Sequence, residues 1–211
     1  MALPDFAKEV REWVQDVLRQ IDPKAKLSFK QPWEVLKILE KFTLEKEDIK
    51  GHIESGVKWD VPIIVGKGSV IKFPCRIEGP VIIGENTIIG PFAYLRGPLI
   101  IGSDCRIGSS EIKNSVFMDG SRAGHFNYIG DSIVGKKCNL GAGTKLANLR
   151  FDGEIIRFEI GKEKFSTGMR KLGAILEDNV QTGCNSVLNP GTYVSKKKSV
   201  LPGAVVSGFI E

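Results

Sequence analysis

The sequence predicts an all-β chain that coils through short strands and tight corners, preceded by a small α-helical region. The first observation is an apolar residue at every sixth position from Ile53 to Ile107. A period of six fits neither an α-helix nor a single two-faced strand, but it suits a coil with one inward aliphatic on each side. The second observation is that glycine often follows this position, where a corner requires a positive φ. The apolar series is Ile53, Trp59, Val65, Ile71, Ile77, Ile83, Ile89, Leu95, Ile101 and Ile107.

The same period returns twice later in the chain. It restarts at Val134, and it restarts again at Leu176 and continues to Val206. Each coil can bury its apolar row only against its neighbours, so we predict a continuous stack over residues 51–211. Residues 149–175 interrupt the period and are predicted to form an inserted basic loop that reaches a neighbouring subunit. This loop contains Arg150, Arg157, Lys162, Lys164, Arg170 and Lys171.

Residues 1–50 are expected to form a helical cap and linker. Apolar residues at helical spacing predict an amphipathic helix over residues 4–21, with a proline near its start. A second helix is predicted over residues 32–42, with Trp33, Leu36 and Leu39 as its buried stripe. We interpret both helices as packing or oligomer contacts rather than as carriers of chemistry.

Composition narrows the possible partners. The 211 residues carry a net charge of +5, which is compatible with a small polyanion and equally with a solvated surface rich in lysine. The basic residues are not interleaved with aromatic ones, so nucleic acid is not expected as a partner. The sequence has neither an apolar run of transmembrane length nor a signal-peptide pattern. We therefore expect a soluble, cytoplasmic chain without a membrane partner.

Four cysteines are present, and three of them share one position of the repeat. Cys75, Cys105 and Cys138 each lie two residues before a repeat aliphatic, at the position where the repeat has a small inward side chain. This position predicts core packing for these three thiols. The fourth is Cys184. No pair has CxxC spacing, so neither a metal site nor a disulfide framework is expected.

The repeat also breaks over residues 108–133, and such breaks often mark functional sites. Ile107 and Ile129 lie 22 residues apart, four more than one 18-residue coil, which predicts an irregular coil. Here the chain closely resembles the acetyltransferase domain of the bifunctional N-acetylglucosamine-1-phosphate uridyltransferase/glucosamine-1-phosphate acetyltransferase family. The resemblance covers about residues 53–153 well and 174–206 loosely. The matching pieces are IGPFAYLRGP at 89–98, EIK at 111–113, GSRAGHFNYIGD at 120–131 and CNLGAGT at 138–144.

The resemblance implies a hexapeptide-repeat left-handed parallel β-helix, a homotrimer with the active site between neighbours, and acetyl-CoA as co-substrate. The family's catalytic histidine corresponds to His125, and imidazole is the side chain whose ordinary pKa lies nearest neutrality. Arg96 and Lys113 would bind the sugar phosphate through charge-assisted hydrogen bonds. Tyr128 and Asn139 would contact sugar hydroxyls.

Two further residues would contact the acyl-CoA. Ala142 corresponds to the backbone N–H that donates a hydrogen bond to the thioester, and Asn148 should lie near the acceptor amine and the acetyl group. Two family positions that contact CoA correspond to Cys184 and Pro202, where the chain departs from the pattern. Proline has no backbone N–H, so that contact cannot be reproduced. A hypothesis for Glu111 is that it orients His125 or accepts the substrate ammonium.

The sequence is compatible with two functions that belong to different classes. The first is acetyl-CoA-dependent N-acetyl transfer to an amino-sugar 1-phosphate, with glucosamine 1-phosphate as the first substrate and uridylyl transfer expected to be absent. The second is a non-catalytic or regulatory β-helix that partners a sugar-phosphate nucleotidyltransferase. A carbonic anhydrase on the same fold needs three histidine ligands, and the chain has only His52 and His125.

Overall fold

The computed structural model describes residues 3–160 and 163–211. They form a parallel β-solenoid of about nine turns with few helices, which confirms the predicted hexapeptide-repeat left-handed β-helix. The helices are α1 Leu3–Arg19 and α2 Glu34–Leu39. The strands are β1 Asp48–Ile49, β2 His52–Ile53, β3 Lys58–Trp59, β4 Ile63–Val65, β5 Val70–Ile71, β6 Cys75–Glu78, β7 Val81–Ile83, β8 Ile88–Ile89, β9 Ala93–Ile101, β10 Arg106–Phe117, β11 Arg122–Gly130, β12 Ile133–Val134, β13 Asn139–Leu140, β14 Lys145–Leu146, β15 Arg157–Ile160, β16 Glu163–Ser166, β17 Ala174–Leu176, β18 Gln181–Thr182, β19 Val187–Leu188, β20 Thr192–Val194, β21 Ser199–Val200, β22 Val205–Val206 and β23 Phe209–Ile210.

The stacked strands form three faces. We call them the cap face, which includes β4, β7 and β12; the Arg122 face, which includes β5, β8 and β13; and the Arg96 face, which includes β6, β14 and β19. The long strands β9, β10 and β11 turn corners and contribute to two or three faces. The edge between the Arg122 face and the Arg96 face is named the His125 edge.

The repeat aliphatics fill the interior of the prism. The hexad residues from Val65 to Val200 are buried in one continuous cluster, with Cys75, Cys105 and Cys138 among them, as predicted. Cys184 is exposed. The coil after Ile107 is irregular, as predicted, and it is shortened, because Ile107 pairs with Ala123. Ile129 pairs with Ile112 on a different face, so the 22 residues from Ile107 to Ile129 do not measure one coil.

The N-terminal helices pack on the outer surface of the cap face. Helix α1 buries Phe6, Val10 and Val14 there against outward aliphatics of the solenoid. The Phe6 ring meets the edge of Tyr193 in a late coil, and the Trp13 indole donates a 2.7 Å hydrogen bond to Asp119 in an earlier coil. Helix α1 therefore runs opposite to the direction in which the coils progress. Both helices exist where they were predicted, and α2 is shorter than expected.

The inserted segment is an antiparallel hairpin, β15 paired with β16, and not a further coil. Phe158 stacks on Trp33 of the cap with ring centroids 4.9 Å apart, and the Lys37 ammonium donates a 2.8 Å hydrogen bond to the Thr167 carbonyl. The insertion is thus anchored on the helical cap of its own chain. Its expected contact with a neighbouring subunit stays a prediction, and Lys162 lies outside the described residues.

Among the residues that the structure describes, no helix is both long and apolar enough to cross a membrane.

Candidate active site

The Arg96 face collects polar residues from four successive coils. Parallel in-register strands stack coil on coil about 4.8 Å apart, so residues far apart in sequence become neighbours. Tyr94, Glu111 and Tyr128 form one such row, and Arg96, Lys113 and Gly130 form the row beside it. The two rows bring together three of the predicted substrate residues.

Arg96 is held by its neighbours in a charged state. Its guanidinium donates a 2.9 Å hydrogen bond to the Glu111 carboxylate and lies over the Tyr94 ring, 5.6 Å from the centroid. The hydrogen bond that Arg96 donates to Glu111 raises the pKa of Arg96. About 39% of the Arg96 side chain is exposed, so a phosphate can still reach it. Glu111 is engaged by Arg96, and the hypothesis that it orients His125 finds no contact in its favour.

Asp131 forms the centre of a second cluster, one that the sequence analysis missed. Its carboxylate is buried and accepts hydrogen bonds from Asn114 at 2.8 Å, from the Lys113 ammonium at 3.4 Å and from the Asn148 amide. The Tyr128 hydroxyl donates a 3.3 Å hydrogen bond to the other end of the Asn148 amide. Asp131 thereby positions Lys113 and Asn148. Its only signal in the sequence was its place at the end of the matched piece GSRAGHFNYIGD.

The surroundings of Tyr128 keep its hydroxyl protonated. Burial raises the pKa of Tyr128 first, and the carboxylates of Asp131 and Glu111 raise it further. A glycine at position 130 is needed beside this ring, because a Cβ there would lie 2.6 Å from the Asn148 amide nitrogen and 2.7 Å from the Tyr128 hydroxyl. The close approach of Asn148 to Tyr128 thus depends on Gly130.

His125 lies on a bulge at the His125 edge. Strand β11 has two residues between His125 and Tyr128 where β10 has one between Ser109 and Glu111, so the register shifts at this point. The extra residue is accommodated by Phe126, which has a φ of 53° and is exposed. Bulges of this kind often re-aim a side chain at a functional site. The imidazole is exposed and has no hydrogen-bond partner among the described residues.

The turn that carries Ala142 stacks on the turn of His125. The Gly143 N–H donates a 2.8 Å hydrogen bond to the His125 carbonyl, and the Asn185 N–H donates a 2.7 Å bond to the Ala142 carbonyl one coil later. No acceptor for the Ala142 N–H is found in residues 3–160 and 163–211. Cys184 and Pro202 continue the same edge, where Gly203 donates a 2.8 Å bond to the Cys184 carbonyl. The residues that correspond to the family's thioester and CoA contacts therefore lie along one edge of the solenoid, starting from His125.

The predicted site residues fall into three places. Arg96, Lys113, Tyr128 and Asn148 come together on the Arg96 face, while His125 and Ala142 lie on the adjoining edge. Asn139 is exposed on the Arg122 face, where it pairs with Arg122 and Gln181. Within one chain it stands apart from the other predicted sugar contacts.

Comparison with known proteins supports the predicted resemblance. A relative from Sulfurisphaera tokodaii, named bifunctional sugar-1-phosphate nucleotidylyltransferase/acetyltransferase, is 38% identical over 181 residues, which are 84% of this chain and 45% of the relative. The bifunctional protein GlmU of Methanocaldococcus jannaschii is 40% identical over 184 residues, 86% of this chain and 45% of its own length. The chain therefore spans about half the length of the curated relatives that it matches.

Among solved structures, the hexapeptide transferase family protein from Anaplasma phagocytophilum is similar with a TM-score of 0.40 and 15% identity, over 78% of this chain and 74% of that one. A family model described as the GMPPB C-terminal domain matches residues 77–200. Since that match covers more than half of the sequence, the chain belongs to the family of the GMPPB C-terminal domain, and its named relatives are bifunctional sugar-1-phosphate nucleotidylyltransferase/acetyltransferases.

Proposed function

We propose that the chain transfers an acetyl group from acetyl-CoA to the amine of an amino-sugar 1-phosphate, with glucosamine 1-phosphate as the first candidate. The observation that carries this proposal is the stacking of the Ala142 turn directly on the His125 turn, beside the cluster of Arg96, Lys113, Tyr128 and Asn148. The name of the relative from Sulfurisphaera tokodaii includes an acetyltransferase activity, which supports the proposal.

The chemistry assigns one role to each group on the His125 edge. The His125 imidazole accepts a proton from the acceptor amine as the nitrogen attacks the thioester carbonyl carbon. The Ala142 N–H donates a hydrogen bond to the oxyanion that forms. The carbon–sulfur bond then breaks, and CoA leaves as a thiol after it takes up the proton. No covalent enzyme intermediate is needed, because the amine attacks the thioester directly.

The acceptor is bound on the Arg96 face. Arg96 and Lys113 would hold the phosphate, since both are cations at a partly buried surface where charge-assisted hydrogen bonds are strong. Tyr128 remains a neutral hydroxyl because its pKa is raised; it donates its proton to Asn148, so its oxygen would accept a hydrogen bond from a sugar hydroxyl. Asn148 lies between Tyr128 and Asp131 and would meet the amine or the incoming acetyl group.

The proposal includes a homotrimer whose neighbouring chains complete the site. Asn139 lies on the Arg122 face of its own chain, away from Tyr128, and it would contact the sugar bound to an adjoining copy. The exposed imidazole of His125 would likewise be enclosed only when a second chain packs against this edge.

A non-catalytic β-helix subunit is the second candidate. Pro202 favours it, because a proline at a position where the family offers a small CoA contact removes a backbone donor from the acyl-donor edge. In this case the chain would assemble with a sugar-phosphate nucleotidyltransferase and would not consume acetyl-CoA.

The test is release of CoA from acetyl-CoA by the purified chain. We expect release that requires an amino-sugar 1-phosphate, compared among glucosamine 1-phosphate, galactosamine 1-phosphate and unphosphorylated glucosamine. Failure of both sugar phosphates with the folded trimer would overturn the acetyltransferase and favour the partner subunit. Equal activity with unphosphorylated glucosamine would contradict the roles of Arg96 and Lys113.

A further inference from the structure

A basic cleft lies between the helical cap and the inserted hairpin. Its volume is about 640 Å³, within the range of about 300–1,000 Å³ that is usual for small-molecule sites. It is lined by residues of α2 and of the segments on either side of the hairpin: Lys37, Glu40, Lys41, Leu149, Gly168, Met169, Arg170 and Lys171. Neither the predicted acetyl-transfer residues nor the His125 edge form part of it.

The cations of this cleft outnumber its acids by four to one. Lys37, Lys41, Arg170 and Lys171 line it, and Glu40 is its one carboxylate. Across the described ranges, none of these four cations is within 4.0 Å of a carboxylate oxygen. Their charge is therefore available to an anionic ligand.

Two of the cations are positioned by backbone carbonyls, which orient them without neutralising them. The Lys37 ammonium donates a 2.8 Å hydrogen bond to the Thr167 carbonyl, and the Arg170 guanidinium donates one of the same length to the Gly153 carbonyl. Gly168 has a φ of 64°, and a Cβ there would lie 3.1 Å from the Lys37 nitrogen. The glycine thus leaves room for the ammonium at the wall of the cleft.

The cleft also has an apolar side, provided by Leu149 and Met169. A ligand that matches this lining combines several negative charges with a flat apolar group. We propose that the cleft binds a nucleoside diphosphate group, with its phosphates on the lysines and arginine and its base against Leu149 and Met169. This chemistry could come from a free or sugar-linked nucleotide or from the nucleotide end of CoA.

The backbone connects this cleft to the proposed acceptor site. Leu149 follows Asn148 directly and forms a β-bridge with Lys171, while the Leu172 N–H donates a 3.0 Å hydrogen bond to the Asn148 carbonyl. A ligand in the cleft therefore lies next to the amide that contacts Tyr128. The inference concerns binding and stands without acetyl transfer, so its test is made in the absence of any acyl donor.

The experiment measures binding of UDP and ADP by titration calorimetry to the full chain. The test variant is Lys41→Ala with Lys171→Ala, and the matched control is Lys24→Ala with Lys26→Ala, which removes two exposed lysines outside the cleft. We expect affinity for at least one nucleotide to fall by about tenfold or more in the test variant and to stay unchanged in the control. Binding should also weaken when salt is raised from about 50 to about 500 mM.

Further titrations distinguish the two possible sources of the nucleoside diphosphate group, which are CoA and a free or sugar-linked nucleotide. If CoA displaces the nucleotide and the test variant loses affinity for CoA, the nucleoside diphosphate group in the cleft belongs to the acyl donor. If CoA does not displace the nucleotide, the cleft binds a different nucleotide. The proposal is overturned if neither UDP nor ADP nor CoA binds, or if the test variant binds as tightly as wild type. Inorganic pyrophosphate that binds as tightly as the nucleotides would overturn the contact with the base.

Discussion

The Gly143 N–H donates a 2.8 Å hydrogen bond to the carbonyl oxygen of His125. This bond joins the turn of the proposed base to the turn that carries the Ala142 N–H, one coil further along. Neighbouring strands of a sheet are about 4.8 Å apart, so the two turns are close enough to serve one reacting centre, as proposed. Because the backbone sets this relationship, the proposed donor would need no rearrangement when an oxyanion forms.

Removal of the Arg96 guanidinium should weaken binding of the sugar phosphate and leave the chemical step largely intact. Charge-assisted hydrogen bonds contribute about 1.5–3 kcal/mol, so we expect KM for the amino-sugar 1-phosphate to rise by about 10- to 100-fold in Arg96→Ala. The matched control is Arg76→Ala on the same face, where Arg76 is paired with Asp60 and Glu78. Steady-state kinetics with the two variants makes the comparison. A similar rise in both would contradict a specific phosphate contact at Arg96.

Alkaline pH should destabilise the solenoid through its buried thiols. Burial raises the pKa of Cys105 and of Cys138 from 9.0 to about 12. The unfolded chain loses these protons near its lower pKa while the folded chain keeps them, so stability is fully present below pH 9 and falls as the pH rises toward 12. Urea unfolding at a series of pH values measures this slope.

The control for this prediction uses serine, which does not titrate in that range. Ser121 occupies the slot between the two thiols, and its hydroxyl accepts a 2.9 Å hydrogen bond from the Cys138 N–H, so Cys105→Ser and Cys138→Ser suit the site. The double variant should lose less stability between pH 9 and 11 than wild type. Exposed Cys184→Ser should behave like wild type, and a double variant with an unchanged slope would refute the assignment.

The stacking of Trp33 on Phe158 should couple the cap to the hairpin within one chain. Both rings are about 2% exposed, so Trp33→Ala and Phe158→Ala should each cost about 3–5 kcal/mol of unfolding free energy. The double variant should cost less than the sum by about 0.5–1.5 kcal/mol, the usual value of an aromatic pair. The coupling should not depend on protein concentration. Additive losses, or a coupling that vanishes on dilution, would mean that the hairpin is anchored elsewhere.

Much of the fold could be predicted because the period of six follows directly from burial. A residue such as Ile71 or Leu95 has only the interior of the prism to occupy, and the sequence shows this for nearly every coil. The sequence located the break between Ile107 and Ile129 but not its geometry, because these two apolar residues belong to different faces. Only the pairing of the strands reveals that the coil is shortened.

The candidate site follows from the sequence only where a matched motif and a residue type suggest a role. His125 and Tyr128 were selected in this way, and their roles stay predictions. Asp131 was missed because its importance comes from three partners in the two neighbouring coils, and a carboxylate in a sequence gives no sign of whether a neighbouring coil will bury it. The docking of α1 on the cap face was likewise beyond the sequence, since an apolar helix stripe does not specify its partner.

The most direct test of the account compares the two histidines. His125→Ala should lower kcat for acetyl transfer to the amino-sugar 1-phosphate by about 10²- to 10⁴-fold, the usual contribution of a general base, with little change in KM. His52→Ala, which removes the exposed histidine of the first coil, should retain wild-type kinetics. If His125→Ala folds and turns over at the wild-type rate, the base is not His125 and the proposed chemistry of the His125 edge is wrong.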